Sequence, residues 1–153
     1  MLAFVFLSPA PAAISEARVA GNRVAVIVNI ENPVNQLSLA DLQQIILGEK
    51  RSWSAKTPII LMMRNQQSPE RELVLKRVCR MTENEYHQYW VGKIFRAEAT
   101  SEPVSLPSVG TALNFVSSVN GGISFVDSAS LHDSVKVLRI NGHLPGEAGY
   151  PLQ

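Results

Sequence analysis

Pro58-Ile59-Ile60-Leu61-Met62-Met63-Arg64-Asn65-Gln66-Gln67-Ser68-Pro69 is the stretch whose reading decides the fold. Its first six residues are apolar almost without interruption, the pattern of a strand buried on both faces. The segment from Pro69 to Arg80 is predicted to be a helix, with Ser68 as N-cap and Pro69 at the first helical position. Between them lies a polar loop. A strand feeding a helix N-terminus in this way aims free backbone N–H groups and the positive end of the helix dipole at one point, which suits an anion.

Working outward, Arg23 to Ile30 is rich in β-branched residues and predicts another strand covered on both faces. Asn32-Pro33-Val34-Asn35 turns the chain. Ser38 caps a helix that carries an apolar stripe of Leu39, Leu42, Ile45 and Ile46 and ends at Gly48. Thr82-Glu83-Asn84-Glu85 is a capping box for a helix with Tyr86, Tyr89, Trp90 and Ile94 on one side. Ser108 caps a further helix, stopped by Asn120-Gly121-Gly122. Strands follow at Ile123–Val126 and Val135–Ile140, and the tail from Asn141 reads as an irregular wrap. Strands alternating with helices predict an α/β fold, a mostly parallel sheet with helices on both faces. Ligands of such folds sit where strand ends lead into helix N-termini, the position of the Arg64–Ser68 loop.

The chain has 153 residues, 46% hydrophobic and 18% charged, which suits one globular domain and argues against global disorder. A formal net charge of +1 gives no general attraction to nucleic acid or membrane surfaces. The densest basic group, Arg71, Lys76, Arg77 and Arg80, falls on one helix and reads first as a solvated face. Leu2-Ala3-Phe4-Val5-Phe6-Leu7, followed by Ser8-Pro9-Ala10-Pro11-Ala12-Ala13, resembles the back half of a secretory signal peptide without its basic start. It is too short to span a bilayer. Residues 1–13 are therefore expected to be a truncated signal peptide, and 14–153 a single exported domain.

Chemistry-bearing residues are sparse. Cys79 is the single cysteine, so no intrachain disulfide forms, and its helical setting marks it as a small core residue. His87, His132 and His143 lie far apart without metal-ligand spacing. No nucleophile elbow and no glycine-rich nucleotide loop occurs. The residues thus point to a non-enzyme that needs no cofactor or metal. The candidate ligand contacts are Arg64, Gln66 and Ser68, with Arg71 as a second cation in the first helical turn. For Arg64, Gln66 and Ser68 the plain alternative is a capped helix and a polar turn without a ligand; for Arg71 it is an exposed partner for Glu70 or a later acid.

The order strand, N-P-V-N, L-S-L-A-D-L-Q-Q-I-I-L-G, Trp53, strand, polar loop and S-x-x-R-E resembles a lobe of the periplasmic binding proteins of phosphate transporters. Tyr89-Trp90 with Ile94-Phe95, Gly121-Gly122-Ile123-Ser124-Phe125-Val126 and the segment Val135 to Gly142 extend the likeness over about residues 22 to 142. The resemblance implies one lobe of a type 2 periplasmic binding protein, in a short single-lobe version. It also implies a phosphate loop in which Arg64 matches the family's arginine, Gln66 its aspartate and Ser68 its serine. Pro69 and Glu70 stand where the family has glycine and threonine; Pro69 lacks an N–H, and Glu70 puts a carboxylate in the first turn. The expected function is an exported, periplasmic, non-catalytic binding protein for phosphate or a similar small oxyanion, in uptake or sensing. Its partner would be a membrane transporter, a sensor or a second lobe. The alternative is a ligand-free interaction module of a cell-envelope complex. An open pocket with Arg64 and Arg71 both aimed inward favours the first; buried or paired guanidinium groups favour the second.

Overall fold

Alternation along one strand organises the molecule. The computed structural model describes residues 23–153, so the expected leader lies outside the described residues. Strand β1 (Val24–Asn29) is buried along its whole length. Val24, Val26 and Val28 pack into one core with Leu42, Ile46, Val74 and Tyr86, while Ala25 and Ile27 pack into a second with Ala112, Val116 and Val126. Successive side chains of a strand point to opposite faces, so continuous apolarity becomes two cores.

Helix α1 (Leu39–Ile46) follows the short β2 (Gln36–Leu37), and Ser38 caps it by accepting from Asp41 N. The hairpin β3 (Ser52–Ser54) and β4 (Thr57–Pro58) then leads into β5 (Ile60–Leu61) and β6 (Met63–Arg64). Helix α2 (Pro69–Val74) continues as a π-helical turn over Leu75–Cys79 and stops at Arg80, whose φ of 55° is left-handed. The long helix α3 (Glu83–Phe95) opens on the expected capping box. Next come β7 (Ser105–Leu106), α4 (Val109–Ser118), β8 (Gly122–Asp127), a 3-10 turn, β9 (Val135–Val137) and β10 (Arg139–Ile140).

The four-stranded sheet has the order β5-β8-β1-β9. It is mixed rather than mostly parallel. β5 and β8 are parallel, but β1 runs antiparallel to both β8 and β9. The β3–β4 hairpin adds a reversal after α1 that strand–helix alternation does not reveal, so β5 enters antiparallel to β1. Helices do cover both faces: α1, α2 and α3 on the first core, α4 on the second.

Two predicted elements are broken up. The apolar run Pro58–Met63 is shared among three ladders, β4 with β3, β5 with β8, and β6 with β7. Val135–Ile140 splits at the buried Leu138, whose N–H donates to Val26 O at 2.9 Å. The tail wraps as expected: Leu152 O accepts from Val24 N at 2.9 Å, and Leu152 is buried.

Gly121, just before β8, is where the β4–β5 segment crosses most closely. A Cβ there would lie 2.0 Å from Pro58 O, a backbone atom that cannot swing aside. Gly121→Ala is expected to lower unfolding free energy by about 1–3 kcal/mol through overpacking, read as a fall in urea midpoint at unchanged m-value.

Candidate functional site

β6 leaves the main sheet to pair with β7, in the register Met63↔Ser105 and Arg64↔Leu106. Asn65 N donates to Leu106 O at 3.1 Å, and Ser68 N closes the turn onto Asn65 O at 3.0 Å. Ser68, in extended conformation, caps α2 as its sequence position predicts: Ser68 Oγ accepts from Arg71 N at 3.3 Å, and Ser68 O from Glu72 N at 3.2 Å. The N–H groups of Gln66, Gln67 and Glu70 make no hydrogen bond among the described residues.

The two arginines differ sharply. Arg71 is buried, and its guanidinium is satisfied on every side. Nε and Nη2 grip Glu83 as a bidentate pair, and Nη1 donates at 3.0 Å to both Arg64 O and Ser105 Oγ. It also lies 5.4 Å from the Tyr86 ring centroid. Arg71 thus pairs with a later acid while buried, not exposed, and it ties α2 to β6, β7 and α3. Arg64 is 6% exposed, yet its Nε and Nη1 have no partner among the described residues. A guanidinium removed from water without an acceptor costs several kcal/mol, so the unpartnered Arg64 is a destabilising feature of the fold.

Ser68 is buried beside the helix start, whereas Gln66 is exposed and lines a neighbouring cavity of about 660 Å³ with Lys76, Arg80 and Glu85. Arg64 and Ser68 are thus the buried ends of a loop whose middle residues Gln66 and Gln67 are exposed, and Arg71 is its scaffold. Sequence reasoning missed the burial of Glu70, 8% exposed with Oε2 unpartnered, and the roles of Glu83 and Ser105. Glu83 reads in sequence as a helix-start acid; its pairing with Arg71 crosses a helix break that no periodicity spans.

The remaining residues fall where packing puts them. Trp53 Nε1 donates to Gly121 O at 3.0 Å, and Tyr86 and Trp90 belong to the first core. Burial pushes the Cys79 thiol up to about 12, so it stays protonated at neutral pH. Among the described residues no group of three or more His, Cys, Asp and Glu could hold a metal ion, and no helix is long and apolar enough to cross a membrane.

The sequence matches the family model of the PBP superfamily domain over residues 11–142. The chain belongs to this family. As a PBP superfamily domain it is similar in structure to several solved proteins. An ABC-type phosphate transport receptor from Vibrio cholerae superposes with a TM-score of 0.65 at 20% identity, covering 80% of this chain and 48% of that one. PstS from Borrelia burgdorferi gives 0.66 at 15% identity, with 90% and 59% covered. A protein from Clostridium perfringens, assigned as a phosphate ABC transporter substrate-binding protein and solved with bound phosphate, gives 0.61 at 21%, with 78% and 45% covered. This PBP superfamily domain thus spans roughly half the length of those chains, as one lobe would. No curated protein matches the sequence. At such identities the likeness establishes the fold.

Separate destabilisation follows from the unequal arginines. Arg71→Ala leaves Glu83 without its partner and is expected to cost about 3 kcal/mol of stability, while Arg64→Ala removes an unpaired buried charge and costs less than 1 kcal/mol or stabilises. Paired urea melts of the two variants check the contrast.

Proposed function

We propose that this chain is an exported, non-catalytic binding protein for phosphate or a similar small oxyanion, acting in uptake or sensing. The observation that carries the reading is the buried Arg64 guanidinium with Nε and Nη1 unpartnered. In this reading Arg64 supplies charge, and the Ser68 hydroxyl and the free N–H of Glu70 supply hydrogen bonds. Gln66 orients the ligand from the rim. Arg71, offered by the sequence as a second contact, acts here by holding the loop.

The names of two of the similar structures support the ligand class, one being a phosphate ABC transporter substrate-binding protein with bound phosphate and the other an ABC-type phosphate transport receptor. The apolar segment Leu2–Leu7 before the small residues to Ala13 supports export, with residues 14–153 as the mature domain. A transporter or sensor component of the membrane would be the downstream partner. Coverage of about half of the similar chain supports a reading in which this chain offers one wall of the site and a second lobe or chain completes it.

A second reading, a ligand-free interaction module, draws on the burial of both arginines and on Arg71, each of whose guanidinium nitrogens has a partner inside the fold.

Calorimetric titration of the full chain with phosphate and then sulfate at low salt separates the two. The binding reading expects saturable phosphate heat that Arg64→Ala abolishes. Silence with both anions at millimolar concentration favours the interaction module.

A further inference from the structure

The free edge of the four-stranded sheet carries an unpaired peptide group facing a groove. Ile60 and Met62 donate their N–H groups to β8, at 2.9 Å to Gly121 O and 3.0 Å to Ile123 O. Their neighbours face the other way: Ile59 N donates to Arg51 O and Met63 N to Val104 O, each at 2.9 Å. Strand alternation turns Leu61 to that same outer side, between the two contacts. Neither its N–H nor its C=O meets a partner among the described residues. Three residues lie between the bracketing contacts, and the four steps from Ile59 to Met63 span about 13 Å.

The groove behind this gap has a volume of about 650 Å³ and is lined by Ile45, Ile59, Trp90, Pro103 and Val104 among others. Ile60 and Val104 are 38% and 58% exposed. Trp90 is buried, and its Nε1 donor has no partner among the described residues. Of the acids in the lining, Glu98 pairs with Arg96 at 2.9 Å, and Glu102 lies against the His87 imidazole. Arg51 donates Nε to Gly48 O at 3.0 Å and Nη2 to Glu98 O at 2.7 Å, which leaves Nη1 free among the described residues. The unmatched charge at the Arg51 end is therefore positive.

An exposed edge peptide is complemented by another peptide, and apolar walls by apolar side chains. A gap closed at both ends by Arg51 and Val104 suits a chain end better than a passing strand. A free guanidinium N–H at one end suits a carboxylate. We propose that this groove binds the apolar C-terminal end of a partner polypeptide, with its backbone paired to Leu61 and its carboxylate at Arg51. The groove lies outside the Arg64–Ser68 loop and does not rest on the oxyanion reading.

The test uses the full chain labelled with nitrogen-15 and the probe N-acetyl-Val-Leu-Val, with either a free carboxylate or a C-terminal amide. The free-acid peptide is expected to shift the Leu61 amide and Trp90 indole resonances saturably. It should slow Leu61 hydrogen exchange about tenfold at saturation. It should bind about fivefold more tightly than the amide, and Arg51→Gln should erase that preference. Val104→Asp should weaken both peptides about tenfold. Resonances that stay fixed at millimolar peptide overturn the proposal. So does a Leu61 amide already protected in the free chain, or equal binding of acid and amide.

Discussion

The Arg71 guanidinium is the joint on which the rest of the site hangs. One planar fork, mounted on the start of α2, meets three groups from three other parts of the chain: the Arg64 carbonyl of β6, the Ser105 hydroxyl of β7 and the Glu83 carboxylate of α3. Arginine suits this place because its donors are fixed in a plane and match a carboxylate two at a time. The β6–β7 ladder is only two residues long and sits apart from the main sheet. Short ladders are weak, so the polar joint, not the ladder, fixes the backbone on which Arg64 is mounted.

That arrangement gives the unpaired Arg64 its meaning. A loop free to relax would carry the guanidinium to water or to an acid. A pinned loop keeps it buried and unpartnered, and in the proposed binding role it would be a pre-organised cation whose desolvation is already borne by the fold. Glu70 works against a highly charged ligand, since its carboxylate lies in the first turn of the same helix and is buried as well. The balance of one cation and one acid suits a small anion of low charge. Coverage of about half of the similar solved chains fits a lobe that offers one wall.

Much of this architecture was legible in the chain. The caps at Ser38, Ser68, Thr82 and Ser108 all form as their spacing predicts, because capping is a local hydrogen bond between residues three apart. β1 was legible because burial on both faces needs unbroken apolarity. Strand direction was not, since alternation of strands and helices says nothing of a hairpin such as β3–β4 that reverses the chain again. The split of Pro58–Met63 escaped notice because three different partners, all distant in sequence, share it. At the site, the Ser68 cap was visible from loop chemistry, while the burial of Arg64 was not, because it depends on tertiary packing. The division of labour between Arg64 and Arg71 was not, because it depends on Glu83 and Ser105, which only tertiary contact brings near.

The central claim is that Arg64 is a buried cation without an internal partner, waiting for an anion. The Arg64 Nε–H resonance in the nitrogen-15-labelled full chain reads this directly, with Arg64→Lys giving the assignment. The account predicts that phosphate moves this signal downfield in a saturable way while the Arg71 Nε–H, locked on Glu83, stays still. An Arg64 signal unmoved by millimolar phosphate, or already slowed in exchange and shifted downfield in the free protein, would contradict it.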